Sequence, residues 1–390
     1  MKILYIHNEY GALSGEEHAS RELVALLEEH GHEVKWFIRS SEEITNVWGK
    51  IKAFFTGIYN PFSAKKLAKV LDEYEPDVVQ VQNLYPFLSV SIFKPLRKRN
   101  IPVVMRCPNY RLFCPSGLCI NSKGEVCEAC WSGNYEWNCI KNNCEYSYFK
   151  SIGYAIRNFY SRKKKAKLNG VNVFIVQSEF QKKKFTSMGI TEDRIRIVAG
   201  ILPTIHAKND EPLGDWVTFV GRASAEKGIY EFIETARRIP QYLFKVVGKV
   251  SEDLVLPADL PTNLEFVGFK SGEALNEMYQ KSRMIVVPSK WYEGFPNILL
   301  HAMYMHRPCI TTNIGAMQSI VEDGIDGLLI EPGSVESMVT AILNLYPNID
   351  ICKRMGKNGF KKVTTKYSRE SIYDALMDCY GRAKELIQNR

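Results

Sequence analysis

At 390 residues the chain outgrows a single hydrophobic core, which stops growing at about 250–300 residues, so two domains are expected. Hydrophobic residues at 45% and charged residues at 24% exclude a disordered or fibrous chain, and no apolar run approaches the ~20 residues of a membrane span. The net charge of +8 is carried by the first half: residues 1–200 hold 29 Lys/Arg against 20 Asp/Glu, and residues 201–390 hold 22 against 23.

The N-terminal run Ile3-Leu4-Tyr5-Ile6 is too short for a signal-peptide core and reads as a buried strand, so the expected location is cytoplasmic. Ten cysteines in a reducing compartment are then expected as thiols, thiolate ligands or core residues. Ser14 to Glu29 carries Leu23, Leu26 and Leu27 at helical spacing, and Gly31 supplies the stop. Val34–Ile38, Val78–Val81, Val103–Met105 and Val173–Val176 follow as parallel-strand signals. Arg162 to Lys167 and Lys182 to Lys184 concentrate the positive charge, with Glu179 as the one acid between them. Such runs are either solvated helix faces or contacts to anionic lipid or a pyrophosphate-bearing acceptor. Interleaved aromatics for nucleic acid are lacking.

The alternation restarts with Trp216–Val220, Phe244–Val247, Leu264–Val267, Met284–Val287 and Cys309–Thr311. The expected organisation is a first α/β domain over 1–206, a polar linker at 207–215, a second α/β domain over 216–370 and a closing helix over 371–390. Each domain reads as a doubly wound parallel sheet, whose ligands bind beyond the carboxyl ends of the strands. Two such halves would face each other across a cleft.

Directly after the strand ending at Val220 comes Gly221-Arg222-Ala223-Ser224-Ala225-Glu226-Lys227-Gly228. A strand, a small loop with two cations and a helix start suit a diphosphate: the Arg222 fork holds two oxygens, Lys227 adds a point charge, and the helix dipole assists. After the strand at Ile285 comes Glu293-Gly294-Phe295-Pro296-Asn297, with His301 further into the helix. A carboxylate in that position accepts hydrogen bonds from sugar hydroxyls. Pro296 suits the first helical turn, and His301 is expected to look back toward the same pocket.

These two segments together resemble the family 4 retaining glycosyltransferases of the GT-B fold, and the resemblance covers essentially the whole chain. It implies that Glu293 contacts the transferred sugar, that Arg222 and Lys227 hold the donor diphosphate, and that Gly15 lies in a first-domain loop approaching donor and acceptor. The donor site so implied comprises Gly15, Gly221, Arg222, Lys227, Glu293, Gly294, Phe295, Pro296, Asn297 and His301, with Glu293, Arg222 and Lys227 carrying the chemistry. His301 stands where the family has a second glutamate for the ribose hydroxyls, and Pro108 replaces the histidine of a His-Asn-Tyr-Arg-x-x-Cys-Pro run. The closing helix is expected to cross back onto the first domain. The implied activity is transfer of a hexosyl-type sugar, with retention, from a nucleoside diphosphate sugar to a saccharide or polyprenyl-linked acceptor in cell-surface polysaccharide assembly, with contact to the cytoplasmic membrane face. The chain has no Asp-x-Asp, and no cofactor is expected for catalysis. The alternative is a catalytically silent sugar-nucleotide-binding protein of the same fold.

Seven cysteines fall in an insertion at 107–144. Cys114, Cys127, Cys130 and Cys144 match cysteines of relatives with this insertion and are compatible with a structural zinc site; free thiols and disulfides stay open beside it.

Overall fold

The computed structural model describes residues 1–9, 15–40, 47–131, 135–202, 205 and 212–388. Positions 10–14, including Ser14, and 207–211 of the expected linker lie outside the described residues.

Among the described residues twelve strands form two sheets of six, parallel throughout. The first holds β1 (Lys2–Glu9), β2 (Glu33–Ser40), β3 (Val78–Val81), β4 (Val103–Arg106), β5 (Val173–Val176) and β6 (Ile195–Ile197) in the order β2-β1-β3-β4-β5-β6. The second holds β7 (Trp216–Val220), β8 (Leu243–Val247), β9 (Leu264–Gly268), β10 (Ser282–Val287), β11 (Cys309–Thr312) and β12 (Gly327–Ile330) in the order β12-β11-β10-β7-β8-β9. The chemistry of the strands explains the arrangement. β3, β4, β5 and β10 are mainly β-branched or apolar runs, with Gln80, Arg106, Ser282 and Arg283 as the polar exceptions, and are buried along their whole length, which suits a sheet covered by helices on both faces.

The chain divides into two compact units, one of Met1–Lys123, Cys127–Ile201 and Arg369–Arg390, the other of Leu202–Ser368 with Gly124–Val126. In the first, Gly31 takes φ +77° where the helix Gly15–Glu29 ends, the left-handed stop expected from sequence. Asn60 caps the helix Pro61–Tyr74, accepting from the Ser63 N–H while Pro61 opens the first turn. The helix Arg369–Gln388 belongs to this unit. It buries Ile372, Leu376, Cys379 and Tyr380, the Tyr380 hydroxyl bonds Gln80 of β3, and Tyr373 stacks on His30 with centroids 3.7 Å apart.

The second unit is built around Phe219, Phe232 and Phe244, with ring centroids 5.6 and 5.3 Å apart between the sheet and the helix Ile229–Arg238. Among the described residues no helix is long and apolar enough to cross a membrane.

Candidate functional site

In the second sheet, β7 and β10 are neighbours from which the chain runs off in opposite directions, β8 and β9 lying to one side, β11 and β12 to the other. The loops leaving such a pair diverge and open a crevice at the strand ends. These two loops are Gly221–Gly228 and Pro288–Pro296. They are also tied together: the Lys290 N–H donates to the Glu226 carbonyl at 2.8 Å. Gly228 sits at φ +79°, and a Cβ there would collide with the Pro288 carbonyl oxygen, so glycine is required for the approach.

Glu293 is buried at this point. Lys227 Nζ lies 2.5 Å from its Oε1, and the Ser289 hydroxyl (2.7 Å) and Trp291 Nε1–H (2.8 Å) donate to the same oxygen. Oε2 accepts none of these three bonds. Burial pushes the Glu293 carboxyl up, but the Lys227 charge and the three donors outweigh it and hold the group below its ordinary range. It is therefore an anion at neutral pH, with one oxygen anchored and the other positioned to accept. Lys227 is also 5.6 Å from the centroid of the Trp291 ring. Arg222, more than half exposed at its side chain, pairs with Glu226 at 2.5 Å, and the Ser224 hydroxyl bonds the same Glu226 oxygen at 2.7 Å. Glu226 thus holds Arg222 at the loop rim, where an exposed pair exchanges easily for a ligand anion.

The sequence-derived donor residues separate into groups. Gly221, Arg222, Lys227 and Glu293 lie on the two tied loops, with Gly294, Phe295 and Pro296 continuing the second. Pro296 precedes the helix Asn297–Tyr304 rather than opening its first turn, and the Phe295 ring meets Tyr367 edge to face at 5.7 Å. The Asn297 side-chain oxygen is buried without a hydrogen-bond partner. His301 is placed otherwise than expected: it is buried, its Nε2 lies 2.8 Å from the Asn276 side-chain oxygen, and its ring stacks on Tyr279 at 4.1 Å. Burial pushes it down to about 4, so it is a neutral packing residue under the helix. Gly15 opens the helix Gly15–Glu29 of the first unit, and a Cβ there would meet nothing within 4 Å. The anchoring roles of Ser289 and Trp291 were missed from sequence, although both sit within four residues of Glu293.

The cysteines sort differently from the zinc quartet. Cys114 accepts a hydrogen bond from the Cys119 thiol, which with Ser116 holds it down at about 6 against its burial. Cys139 and Cys144 form a second thiol pair. Among the described residues no three His, Cys, Asp or Glu side chains are gathered to hold a metal. Cys130 nevertheless lies close enough to Cys114, Cys127 and Cys144 for its thiol to feel their charges. The insertion is fastened by charge and carbonyl contacts: Arg162 to Glu136 at 2.5 Å, Lys184 to Glu128 at 2.7 Å and Arg157 to the Pro115 carbonyl at 2.7 Å.

Residues 203–362 match the family described as Glycosyl transferases group 1. The alpha-D-kanosaminyltransferase of Streptomyces kanamyceticus is 29% identical over 181 residues, 44% of this chain and 46% of that protein. The UDP-Gal:alpha-D-GlcNAc-diphosphoundecaprenol alpha-1,3-galactosyltransferase of Escherichia coli is 27% identical over 175 residues, 42% of this chain and 44% of that protein. The chain therefore spans a little under half the length of these curated relatives. Anabaena HepE in complex with UDP superposes with a TM-score of 0.66 at 14% identity, covering 98% of this chain and 100% of that one. With two parallel six-stranded sheets and that neighbour the fold is GT-B, and through residues 203–362, less than half of its length, the chain is similar to the group 1 glycosyl transferases.

Proposed function

We propose that the protein is a glycosyltransferase that moves a hexosyl-type sugar, with retention of configuration, from a nucleoside diphosphate sugar to a saccharide or lipid-linked acceptor in cell-surface polysaccharide assembly. The observation that carries the reading is the anchored Glu293 carboxylate beside Lys227, on loops that diverge from adjacent strands of a doubly wound sheet. Glu293 Oε2 would accept from hydroxyls of the transferred sugar, and Arg222 and Lys227 would hold the donor diphosphate. As the glycosidic bond breaks, the leaving phosphate oxygen gains negative charge, so both cations bind it more tightly in the transition state than in the ground state. The acceptor hydroxyl attacks the anomeric carbon from the face the diphosphate leaves. Its proton passes to the departing phosphate oxygen, which conserves charge and needs no separate protein base.

The fold neighbour bound to UDP and the relative that uses UDP-Gal make UDP-sugars the first donors to test, and a diphospholipid-linked saccharide the first acceptor. A thermal-shift screen of nucleoside diphosphate sugars identifies the donor, because selective binding to the native state raises the melting temperature. With that donor, Arg222→Ala is expected to lower kcat/KM by about 10²-fold or more, roughly 3 kcal/mol of transition-state stabilisation. Turnover within about tenfold of wild type would remove the charge role. NMR of the product's anomeric proton tests retention; the inverted anomer would overturn that part of the proposal.

A further inference from the structure

A concentration of unbalanced charge lies wholly within the first unit. The loops after β3 and β4, through Gln82 to Tyr85, Cys107 to Asn109, Arg111 and Leu112, together with Met105, Arg106 and Lys167, line a recess of about 380 Å³ counting its open mouth. Arg106 and Lys167 are 1% and 4% exposed. Among the described residues Lys167 Nζ has a long 3.5 Å contact to the Arg111 carbonyl and a 5.4 Å approach to the Tyr85 ring. Arg106 Nη1 and the Tyr85 hydroxyl, both on lining residues and both buried, have no hydrogen-bond partner among the described residues. Arg157 lies behind Tyr85, 3.9 Å from its ring centroid, and Arg111 is a fourth cation on the wall.

Two carboxylates act on this group and both are weakened. Glu16, held by the Asn83 (3.1 Å) and Gln82 (3.5 Å) amides, faces Arg111 and Arg106, and Glu145 faces Arg111 and Arg157; burial raises both above their ordinary range. The cations respond in the opposite sense. Burial, then Arg157 and Arg111, push Lys167 down to about 7. Buried cations of this kind are costly unless a counter-charge meets them. Here they converge at the carboxyl ends of strands, where sheets of this topology bind ligands.

We propose that this recess is an anion site that takes the phosphate or diphosphate group of a ligand other than the sugar donor, with Lys167, Arg106 and the Tyr85 hydroxyl as its donors. It rests on the first unit alone and stands whether or not the donor reading does. The phosphate belongs either to a free ester or to a lipid headgroup at a membrane surface.

The test uses the full chain carrying Arg222→Ala, which weakens pyrophosphate binding in the second unit; Lys227 stays, so the signal read is the change made by a further substitution in the first unit. Calorimetric titration with inorganic pyrophosphate is the first arm, and co-sedimentation with phosphatidylglycerol-containing against pure phosphatidylcholine vesicles is the second. Adding Lys167→Met is expected to weaken binding at least tenfold in one arm: loss of pyrophosphate binding assigns the free ester, loss of sedimentation alone assigns the headgroup. Without anion, Lys167→Met should melt at or above its parent, since a buried charge has been removed. Should that variant not fold, Tyr85→Phe, which deletes one hydroxyl and keeps the packing, is expected to weaken the same arm about threefold, by analogy with a modest single hydrogen bond. Binding in both arms that is indifferent to Lys167 and Tyr85 overturns the proposal, as does no binding in either.

Discussion

The same fold feature, loops leaving the carboxyl ends of neighbouring parallel strands, is equipped in opposite ways in the two units. In the second unit every cation named has an acid in reach: Lys227 has Glu293, Arg222 has Glu226, Lys290 has Glu231 at 2.8 Å. In the first unit Lys167 and Arg106 reach carbonyl oxygens, of Arg111 and Ala199, and among the described residues no carboxylate within ion-pair distance. A paired site is stable by itself and trades a partner for its ligand. An unbalanced one is strained until an anion arrives, so its binding energy is partly relief of desolvation cost. The difference teaches that buried charge means little until its counter-charge is located.

The sharpest way to break the comparison is to separate the two loops of the second unit. Gly228→Ala would push a methyl into the Pro288 carbonyl at a left-handed backbone position. We expect a loss of about 3 kcal/mol or more in urea unfolding, combining the backbone strain with the displaced loop contact, and loss of donor-induced thermal shift. Unchanged stability would mean the loops are not held together as described.

Next in size is a matched pair of substitutions. Lys227→Met leaves the buried Glu293 with its Ser289 and Trp291 donors and without its counter-charge, and should cost about 2–3 kcal/mol at pH 7, discounted from a fully buried pair because Lys227 is partly solvated. Lys167→Met removes a buried cation that lacks such a partner and should be neutral or stabilising by about 1 kcal/mol. Urea midpoints of the two variants check the opposite signs; costs of equal sign and size would erase the distinction between the units.

Much of this arrangement was legible in the chain. Strands β1, β7 and β10 and the positions of Arg222, Lys227 and Glu293 follow from apolar runs ended by small or charged loops, a local pattern. β6 and β12 are short and only partly buried, unlike the similarly short but fully buried β3 and β5, and form because neighbouring strands supply partners. Lys167 shows the limit most clearly. In sequence it closes the run Arg162 to Lys167 and reads as one more solvated lysine, yet Lys163, Lys164 and Lys165 are exposed while Lys167 turns inward beside Tyr85. No local pattern distinguishes it, since the recess is assembled from loops about 60 and 80 residues earlier. His301 was misplaced for the related reason that its partners, Asn276 and Tyr279, come from a different helix.

The smallest effect concerns one histidine in each unit, and it sharpens the comparison through pH. His7 in the first unit and His301 in the second are both pushed down to about 4 by burial, from an ordinary 6.5. Among the described residues both His7 ring nitrogens lack a hydrogen-bond partner, whereas His301 is held by Asn276. Because each folded-state value lies below the unfolded one, the unfolded chain takes up protons between pH 6.5 and 4 that the folded chain refuses. Stability is therefore fully present above pH 6.5 and falls as pH is lowered through that window, by at most about 3 kcal/mol per histidine at ~1.4 kcal/mol for each unit. His301→Gln can keep the bond to Asn276 while removing the titration, so it should flatten roughly half of this acid loss in urea midpoints measured from pH 8 to 4. His301→Glu, which restores the family's carboxylate, should act with the reverse sign: a carboxyl buried against Tyr279 has a raised pKa, so the variant is weakest at neutral pH and recovers as acid protonates it. If His301→Gln instead retained the full acid loss, the neutral packing role of His301 would be wrong, and the loss would have to come from His7 and the buried carboxylates such as Glu293.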